Sequence, residues 1–433
     1  MADDTDGDGT DDSMDDCPVA FGNSTLDRTG CPDRDGDGTS DLNDPWVMST
    51  GGYLEVAHQS SNDDHCMVRF NYDASQYATA ENSGGGQGDP CSSSGGSSDI
   101  RIWDTATRNN LRTIQVSERT RDIDWSPDGL YVAVYTSDEE VRIYDASDGS
   151  LYGTMDANGE NAGELEFSPD GTMLAVTGSR SGNSGDGQIE IFDVDTASST
   201  YGDVIQTLNP GSTVYYYSVD WSPDGSRLVV GGYEAIYIID TDTWGENRTI
   251  SNAFNTLNSV HYSPDGNMIS GCSAYDNGGA RARVYDAMTG AQMWSYTTST
   301  SCVDATWSPD SSQVAFSMKY YQADGSSIHL FFATTGVKLD TLYSGSGSPG
   351  SCGNGNGCGE IWGVDWHPDG NYIISAQTRN DEGVYHWILN PDMDNDGYLN
   401  PDDAFPEDGT QWNDTDGDNY GDNPAPATEP DSC

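Results

Sequence analysis

Three stretches of this chain place oxygen ligands at spacings suited to a hard divalent cation. Asp4, Asp6, Asp8, Asp12 and Asp15 occupy positions 1, 3, 5, 9 and 12 of a short loop, with Gly9 at position 6. Asp33, Asp35, Asp37, Asp41 and Asp44 repeat the pattern around Gly38. Asp392, Asp394, Asp396, Asn400 and Asp403 repeat it around Gly397. Alternating carboxylates on such a loop converge on one ion, and the glycine permits the sharp bend. With only oxygen donors and a flexible frame, calcium is the expected metal. A fourth copy, Asp414, Asp416, Asp418 and Asp422, departs from the pattern, with Asn419 in place of the glycine and Ala425 at position 12. The loops also lack the terminal Glu of a helix-loop-helix calcium site.

Charge sets limits on partners. The 433 residues carry 72 acidic and 17 basic side chains, a formal charge of −55. Such a field repels nucleic acid and anionic membrane surfaces and favours cations. No run approaches the length of apolar sequence that spans a bilayer, so membrane insertion is not expected. Nine cysteines fall outside paired Cys-x-x-Cys zinc spacing, and disulfides are the better reading. Cys352 and Cys358 share one Gly-rich loop and are expected to pair. Cys66 with Cys91 and Cys272 with Cys302 are the next assignments, leaving Cys17 with Cys31 and Cys433 without a partner in this chain. Disulfides imply a secreted or cell-surface protein. Met1-Ala2-Asp3 has neither the basic start nor the apolar stretch of a signal peptide, so a mature or excised segment is expected. Asn23, Asn247 and Asn413 open glycosylation sequons.

The elements that position this chemistry come from a repeat. The phrase aromatic-Ser-Pro-Asp-Gly begins at Trp125, Phe167, Trp221 and Tyr262, with variants at Trp307 and Trp366 and a degenerate copy at Phe70. An apolar run enters each aromatic residue. Proline then presets φ and glycine accepts a positive φ in a tight turn. A β-rich run and a third strand ending in aromatic-Asp follow, as in Ile102-Trp103-Asp104 and Ile143-Tyr144-Asp145. Repeats of about 40–45 residues with strand-like flanks mark propeller blades. Seven copies predict an all-β, seven-bladed propeller. The seventh repeat has no fourth strand, whereas an orphan strand, Gly52 to Ala57, precedes the first. That segment is expected to complete the last blade and remove an exposed edge.

The repeat resembles the WD-repeat family and its Pro-Asp-rich relatives over roughly residues 50–389. Trp103-Asp104 matches the family dipeptide, while the family's Gly-His signature is not evident. The resemblance implies the architecture. Cys17-Pro18 and Gly30-Cys31-Pro32, set among the Asp loops, resemble thrombospondin type 3 repeats, and residues 390–433 do so more loosely. That resemblance implies a coreless acidic chain held compact by calcium and disulfides. Asp431-Ser432-Cys433 looks like the start of another such unit. The expected organisation is therefore calcium repeats over 1–45, the propeller over 46–389 and further repeats over 390–433.

The long insertions fall between strands two and three or between blades, which share one face, and irregular loops on a rigid scaffold are where recognition sits. Tyr215 to Tyr217, Tyr275, Tyr320, Tyr321 and Trp362 are expected to line or rim that face, either packing the loops onto the blade tops, the better reading, or meeting a protein or glycan. An acidic residue precedes the repeat aromatic at Asp124, Glu166, Asp220 and Asp365. These would either ring the central channel around a cation or bond backbone groups between blades, the second being the better reading. No Gly-x-Ser-x-Gly elbow, His-Glu-x-x-His or phosphate loop is present. A calcium-stabilised recognition, adhesion or scaffold module is thus expected, and not an enzyme. The alternatives are a filament or surface-layer subunit assembling through its ends and Cys433, and a propeller lyase or hydrolase using the channel carboxylates.

Overall fold

The computed structural model describes residues 54–58, 64–82, 96–157, 163–178, 187–210, 215–251, 253, 256–275, 279–298, 300–319, 327–343, 360–378 and 383–388, with 13–14 and 29. The four calcium loops, Cys17, Cys31, Cys91, Cys352, Cys358, Cys433, Tyr320, Tyr321, Asn23 and Asn413 lie outside these residues. The chain divides into two compact units, Met1–Val56 with Trp387–Cys433, and Ala57–His386. Among the described residues every element is a strand, and no helix is long and apolar enough to cross a membrane.

Seven four-stranded sheets form seven blades, and the repeat phrase marks the end of each inner strand. The inner strands of blades 1 to 7 are Asp64–Phe70, Thr120–Trp125, Leu165–Phe167, Tyr216–Trp221, Thr256–Tyr262, Ser301–Trp307 and Glu360–Trp366. Blades 1 to 6 run through four consecutive strands from inside to outside. Blade 7 contributes only three, ending at Gly383–Ile388, and its outer position is filled by Leu54–His58. The expected closure by the N-terminal strand is therefore present.

Local chemistry explains each inner turn. In blade 2 the Ser126 Oγ donates to Asp128 Oδ1 at 2.6 Å and accepts from Tyr131 N at 2.9 Å. Gly129 N donates back to Ser126 O at 2.8 Å, with Gly129 at φ +70°. Blades 3, 4, 5 and 6 repeat the serine–aspartate pair. In blade 6, Ser311 takes the left-handed position at φ +60°, and its hydroxyl accepts from Asp265 N of blade 5 at 3.0 Å.

The core lies between sheets. Ala78, Ile100 and Ile102 of blade 1 pack on Ile123, Trp125 and Val132 of blade 2 in one buried cluster. Blades 5 and 6 share another, and there the buried Cys272–Cys302 disulfide, Cα–Cα 5.3 Å, ties the second strand of blade 5 to the inner strand of blade 6. Cys66 is also disulfide-bonded.

Gly336 shows how close the blades come. It adopts φ +68°, and a Cβ there would meet the Trp294 ring of blade 5 at 2.5 Å. Trp294 is held by its own Nε1–H bond to Ala333 O at 2.6 Å. Gly336→Ala should therefore destabilise the propeller by about 2–4 kcal/mol, from strained φ plus overpacking. Denaturant unfolding should show a lower midpoint with an unchanged slope.

Candidate functional site: the charged channel mouth

The residue before each repeat aromatic points to the centre. Arg69, Asp124, Glu166, Asp220, His261, Thr306 and Asp365, one from each blade, line a single cavity of about 340 Å³. Pro223 and Pro264 from the inner turns also line it, so it lies at the turn end of the channel. Recognition was expected at the opposite, insertion-bearing end.

The acidic residues line the channel, and three of the four bond backbone groups of the next blade, as expected. Phe167 N donates to Asp124 Oδ2 at 2.8 Å, Tyr262 N to Asp220 Oδ2 at 2.6 Å, and Phe70 N to Asp365 Oδ2 at 2.8 Å. Those bonds join blades 2 to 3, 4 to 5 and 7 to 1. The remaining interfaces use another donor. The indole Nε1–H of Trp125 donates to Arg69 O at 3.1 Å, that of Trp221 to Glu166 O at 3.1 Å, and that of Trp307 to His261 O at 3.3 Å. Trp366 N donates to Thr306 Oγ1 at 3.1 Å and joins blades 6 and 7. One stitch thus crosses each of the seven interfaces. Trp125, Trp221 and Trp307 reach back through their indoles, whereas the indole of Trp366 bonds Gly370 O of its own turn at 3.0 Å and a carboxylate or hydroxyl makes the joint at the other four interfaces.

A second layer lies two residues earlier, on the same face of each strand. Asp122 Oδ2 accepts from Leu165 N at 2.9 Å, Ser218 Oγ from Val260 N at 2.8 Å, and Asp304 Oδ2 from Val364 N at 3.3 Å. Glu164 belongs to this layer as well.

The cations were missed in the sequence, although they occupy the register position that defined the acidic set. Arg69 Nη1 lies 3.3 Å from Asp304 Oδ2, and His261 Nε2 lies 3.2 Å from Asp304 Oδ1. Burial opposes ionisation of Asp304, but Arg69 and His261 hold its carboxyl down to about 2. Burial likewise disfavours charge on His261, yet the hydrogen bond and charge of Asp304, with Asp220 and Glu164, lift it to about 9. The other carboxyls have no such cation to themselves. Burial, reinforced by neighbouring carboxylates, raises Asp122 to about 6, Asp124 to about 7 and Glu164 to about 8. Burial also raises Glu166 well above its ordinary value, with Asp124 and Asp220 adding to it.

The aromatic candidates divide by strand alternation. Tyr217 stacks on Tyr215 at 5.8 Å with planes 11° apart, and burial pushes its phenol up to about 12. Tyr216, expected at the rim, is instead fully buried in the core between blades 3 and 4. Its place between two outward-facing neighbours is the period-two pattern of a strand. Trp362 is half-buried and donates through Nε1 to Thr378 Oγ1 at 3.2 Å. Tyr275 ends a strand of blade 5, and its side chain lies outside the described residues. His65 is buried beside Glu81, its Nε2 3.7 Å from Oε1. Asn247 is exposed on the outer strand of blade 4, where its sequon is accessible.

Comparison with known proteins agrees with this geometry. The family described as WD domain, G-beta repeat matches residues 202–240 and 349–387. Two segments of the chain are thus similar to WD40 repeats, within a seven-bladed β-propeller. The first matched segment covers the outer strand of blade 3 with three strands of blade 4, so the WD40 sequence unit straddles two blades. The WD repeat-containing protein AAC3 of Dictyostelium discoideum is 25% identical over 137 residues, 32% of this chain and 27% of that protein. The WD repeat-containing protein VIP3 of Arabidopsis thaliana is 28% identical over 126 residues, 27% of this chain and 37% of its own length. An uncharacterised WD repeat-containing protein, sll1491, of Synechocystis is 27% identical over 143 residues, 33% of this chain. The chain thus spans between 27% and 37% of the length of these relatives.

Two substitutions in the channel should act in opposite directions. Asp304→Asn leaves Arg69 and His261 without their shared counter-ion and should cost about 3–5 kcal/mol at pH 7. The raised carboxyls and raised His261 stabilise the fold when protonated, so stability should fall as pH rises from about 4 to about 9. Asp304 acts oppositely, but it loses its contribution only as pH falls from about 4 toward 2. Glu164→Gln removes one buried proton acceptor and should stabilise on the order of 1–2 kcal/mol at pH 8, and less at pH 5. Urea unfolding at the two pH values checks both variants.

Proposed function

We propose that the chain is an extracellular, calcium-stabilised recognition module, with the propeller as a rigid protein-binding scaffold and the Asp loops of 1–45 and 390–433 as metal-stiffened repeats. The observation that carries this reading is the buried Cys272–Cys302 bridge between two blades. Disulfides of that kind persist in oxidising compartments. Nine cysteines and a charge of −55 fit the same setting. WD propellers generally bind protein partners, and here the insertions over 83–95, 179–186, 320–326 and 344–359 leave strand ends on one side of the disc. Trp362 lies on the strand that the 344–359 insertion enters, and Tyr217 lies near the start of the inner strand of blade 4; these are the aromatic anchors proposed for a protein or glycan.

A binding role also suits the ring chemistry. Asp124, Asp220 and Asp365 accept backbone N–H groups of neighbouring blades, so three of the four carboxylates assigned to a lyase or hydrolase are committed to the scaffold. Assembly through Cys433 and the terminal repeats is the structural variant of the same reading.

Loops of this extracellular type bind calcium at roughly 0.1–1 mM. At about 100 times the dissociation constant each filled site adds about 2.7 kcal/mol to the segment it folds. Calcium titration of the oxidised protein should compact it in small-angle scattering and raise its thermal midpoint, and chelator should reverse both. Asp35→Asn with Asp37→Asn should abolish one site's share. No response to calcium would reject the calcium repeats, while a monomer at all calcium levels by light scattering would reject the filament variant.

A further inference from the structure

The turn face carries a second cavity, set apart from the channel, between blades 2 and 3. It measures about 250 Å³, and its apolar wall is Pro127, Leu130 and Tyr131 of blade 2 with Phe167, Val194 and Tyr201 of blade 3. Tyr152, on the outer strand Leu151–Asp156 of blade 2, carries that wall outward. Its ring lies 4.8 Å from that of Tyr131 and 5.6 Å from that of Tyr201, the second contact edge-on at 89°. Leu130 and Tyr152 are 57% and 46% exposed, so an apolar rim is open to solvent beside the cavity.

A lengthened turn builds the blade 3 side. Between the third and fourth strands of blades 1, 2, 5 and 6, a backbone bond closes the turn across residues five apart: Asp104 N to Asn109 O, Asp145 N to Ser150 O, Asp286 N to Ala291 O and Phe332 N to Val337 O. In blade 3 the matching bond joins Asp193 N to Asp203 O, ten residues apart. The added residues are tied down from within. Ser198 Oγ and Thr200 Oγ1 donate to Asp193 Oδ2 at 2.6 and 2.5 Å. Tyr201, near the end of this turn, reaches back over blade 2, where a Cβ at Gly153 would lie 3.2 Å from its hydroxyl. Burial raises the phenols of Tyr131 and Tyr201, the latter to about 12, so both stay neutral.

The charge of the groove is one-sided. Asp128, Asp170 and Asp195 line it, and no Lys, Arg or His does. Each spends Oδ1 on its own turn, where Leu130 N, Thr172 N and Ala197 N donate at 3.0, 3.0 and 2.8 Å. Their Oδ2 atoms are left for a partner. A complementary occupant therefore joins an apolar body to a positive charge, and a net charge of −55 works against a second copy of this chain as its source. Arginine suits such a wall better than lysine. Its guanidinium is weakly hydrated, stacks on tyrosine faces and forks to carboxylates, whereas an ammonium holds its water.

We propose that the groove between blades 2 and 3 on the turn face docks an arginine flanked by apolar residues, on a basic segment of another protein. The guanidinium sits among Asp128, Asp170 and Asp195 and lies against Tyr131 and Tyr201. The flanking apolar residues cover Leu130 and Tyr152. This docking site rests on the reading of the propeller as a protein-binding scaffold, but it uses neither the calcium loops nor the insertion-bearing face.

The test titrates the full oxidised chain into a labelled Gly-Leu-Arg-Leu-Gly peptide, and into its Lys and Gln counterparts, by fluorescence anisotropy at about 0.15 M ionic strength. The Arg peptide should bind saturably, the Lys peptide several-fold more weakly, and the Gln peptide weaker by about tenfold or more. Asp170→Asn combined with Asp195→Asn keeps the Oδ1 acceptors of both turns and should weaken Arg-peptide binding by about tenfold or more. Tyr152→Ala, exposed on the outer strand, should weaken it several-fold. Asp224→Asn, the same turn position in blade 4, should leave it unchanged. Near-UV circular dichroism checks that each variant is folded. Equal binding of the Arg and Gln peptides, or no binding of any of them, overturns the proposal. An equal loss in Asp224→Asn assigns the effect to net charge and overturns it too. Binding that both the double-aspartate and the tyrosine variants leave unchanged rejects this groove and leaves the scaffold reading standing.

Discussion

A ring of seven blades must be joined at seven interfaces, and at the channel mouth every joint includes a hydrogen bond through one repeat position. That position is the residue before the repeat aromatic. It either sends a carboxylate or hydroxyl to the next blade's backbone or offers its carbonyl to the next blade's indole. The two devices alternate around the disc. With an odd number of blades the alternation cannot close, and blades 6 to 7 and 7 to 1 consecutively use side-chain acceptors, from Thr306 and Asp365. Apolar packing between sheets is non-directional and supplies most of the adhesion. The stitches add orientation, because each buried backbone N–H they satisfy is paired only when the blades sit in one relative rotation.

Concentrating acceptors at the centre has an electrostatic consequence. Carboxylates that serve well one interface at a time are brought together by closure, where burial strengthens their mutual repulsion. The fold relieves this in one sector with Arg69 and His261 around Asp304. The other sector keeps protons on its carboxyls, since Asp124 and Glu164 are raised to about 7 and about 8. Buried carboxyls that titrate near neutral pH mark a site poised to respond to protons or cations. In this protein they arise from the architecture of blade joining.

Much of the fold was legible because it is written in local chemistry repeated seven times. The Ser-Pro-Asp-Gly turn works through contacts among six consecutive residues, 126–131, as Ser126, Asp128 and Tyr131 demonstrate. The completing strand was legible from a simple imbalance, three strands at one end and one spare at the other. The Cys272–Cys302 pairing was also correctly assigned. Tyr216 was misplaced because a run of three tyrosines gives no hint of which one turns inward until the strand's phase is known.

By itself, then, the sequence determined blade number, turn chemistry, closure and the acidic character of the inner strands, because all are local or periodic properties. Only the tertiary structure decided which charges meet. Arg69 and Asp304 are 235 residues apart, and His261 and Asp304 are 43 apart. Nothing in their local sequence marks them as partners. Ring closure sets the distance between blades 1, 5 and 6, and that distance separates a neutralised sector from an acidic one.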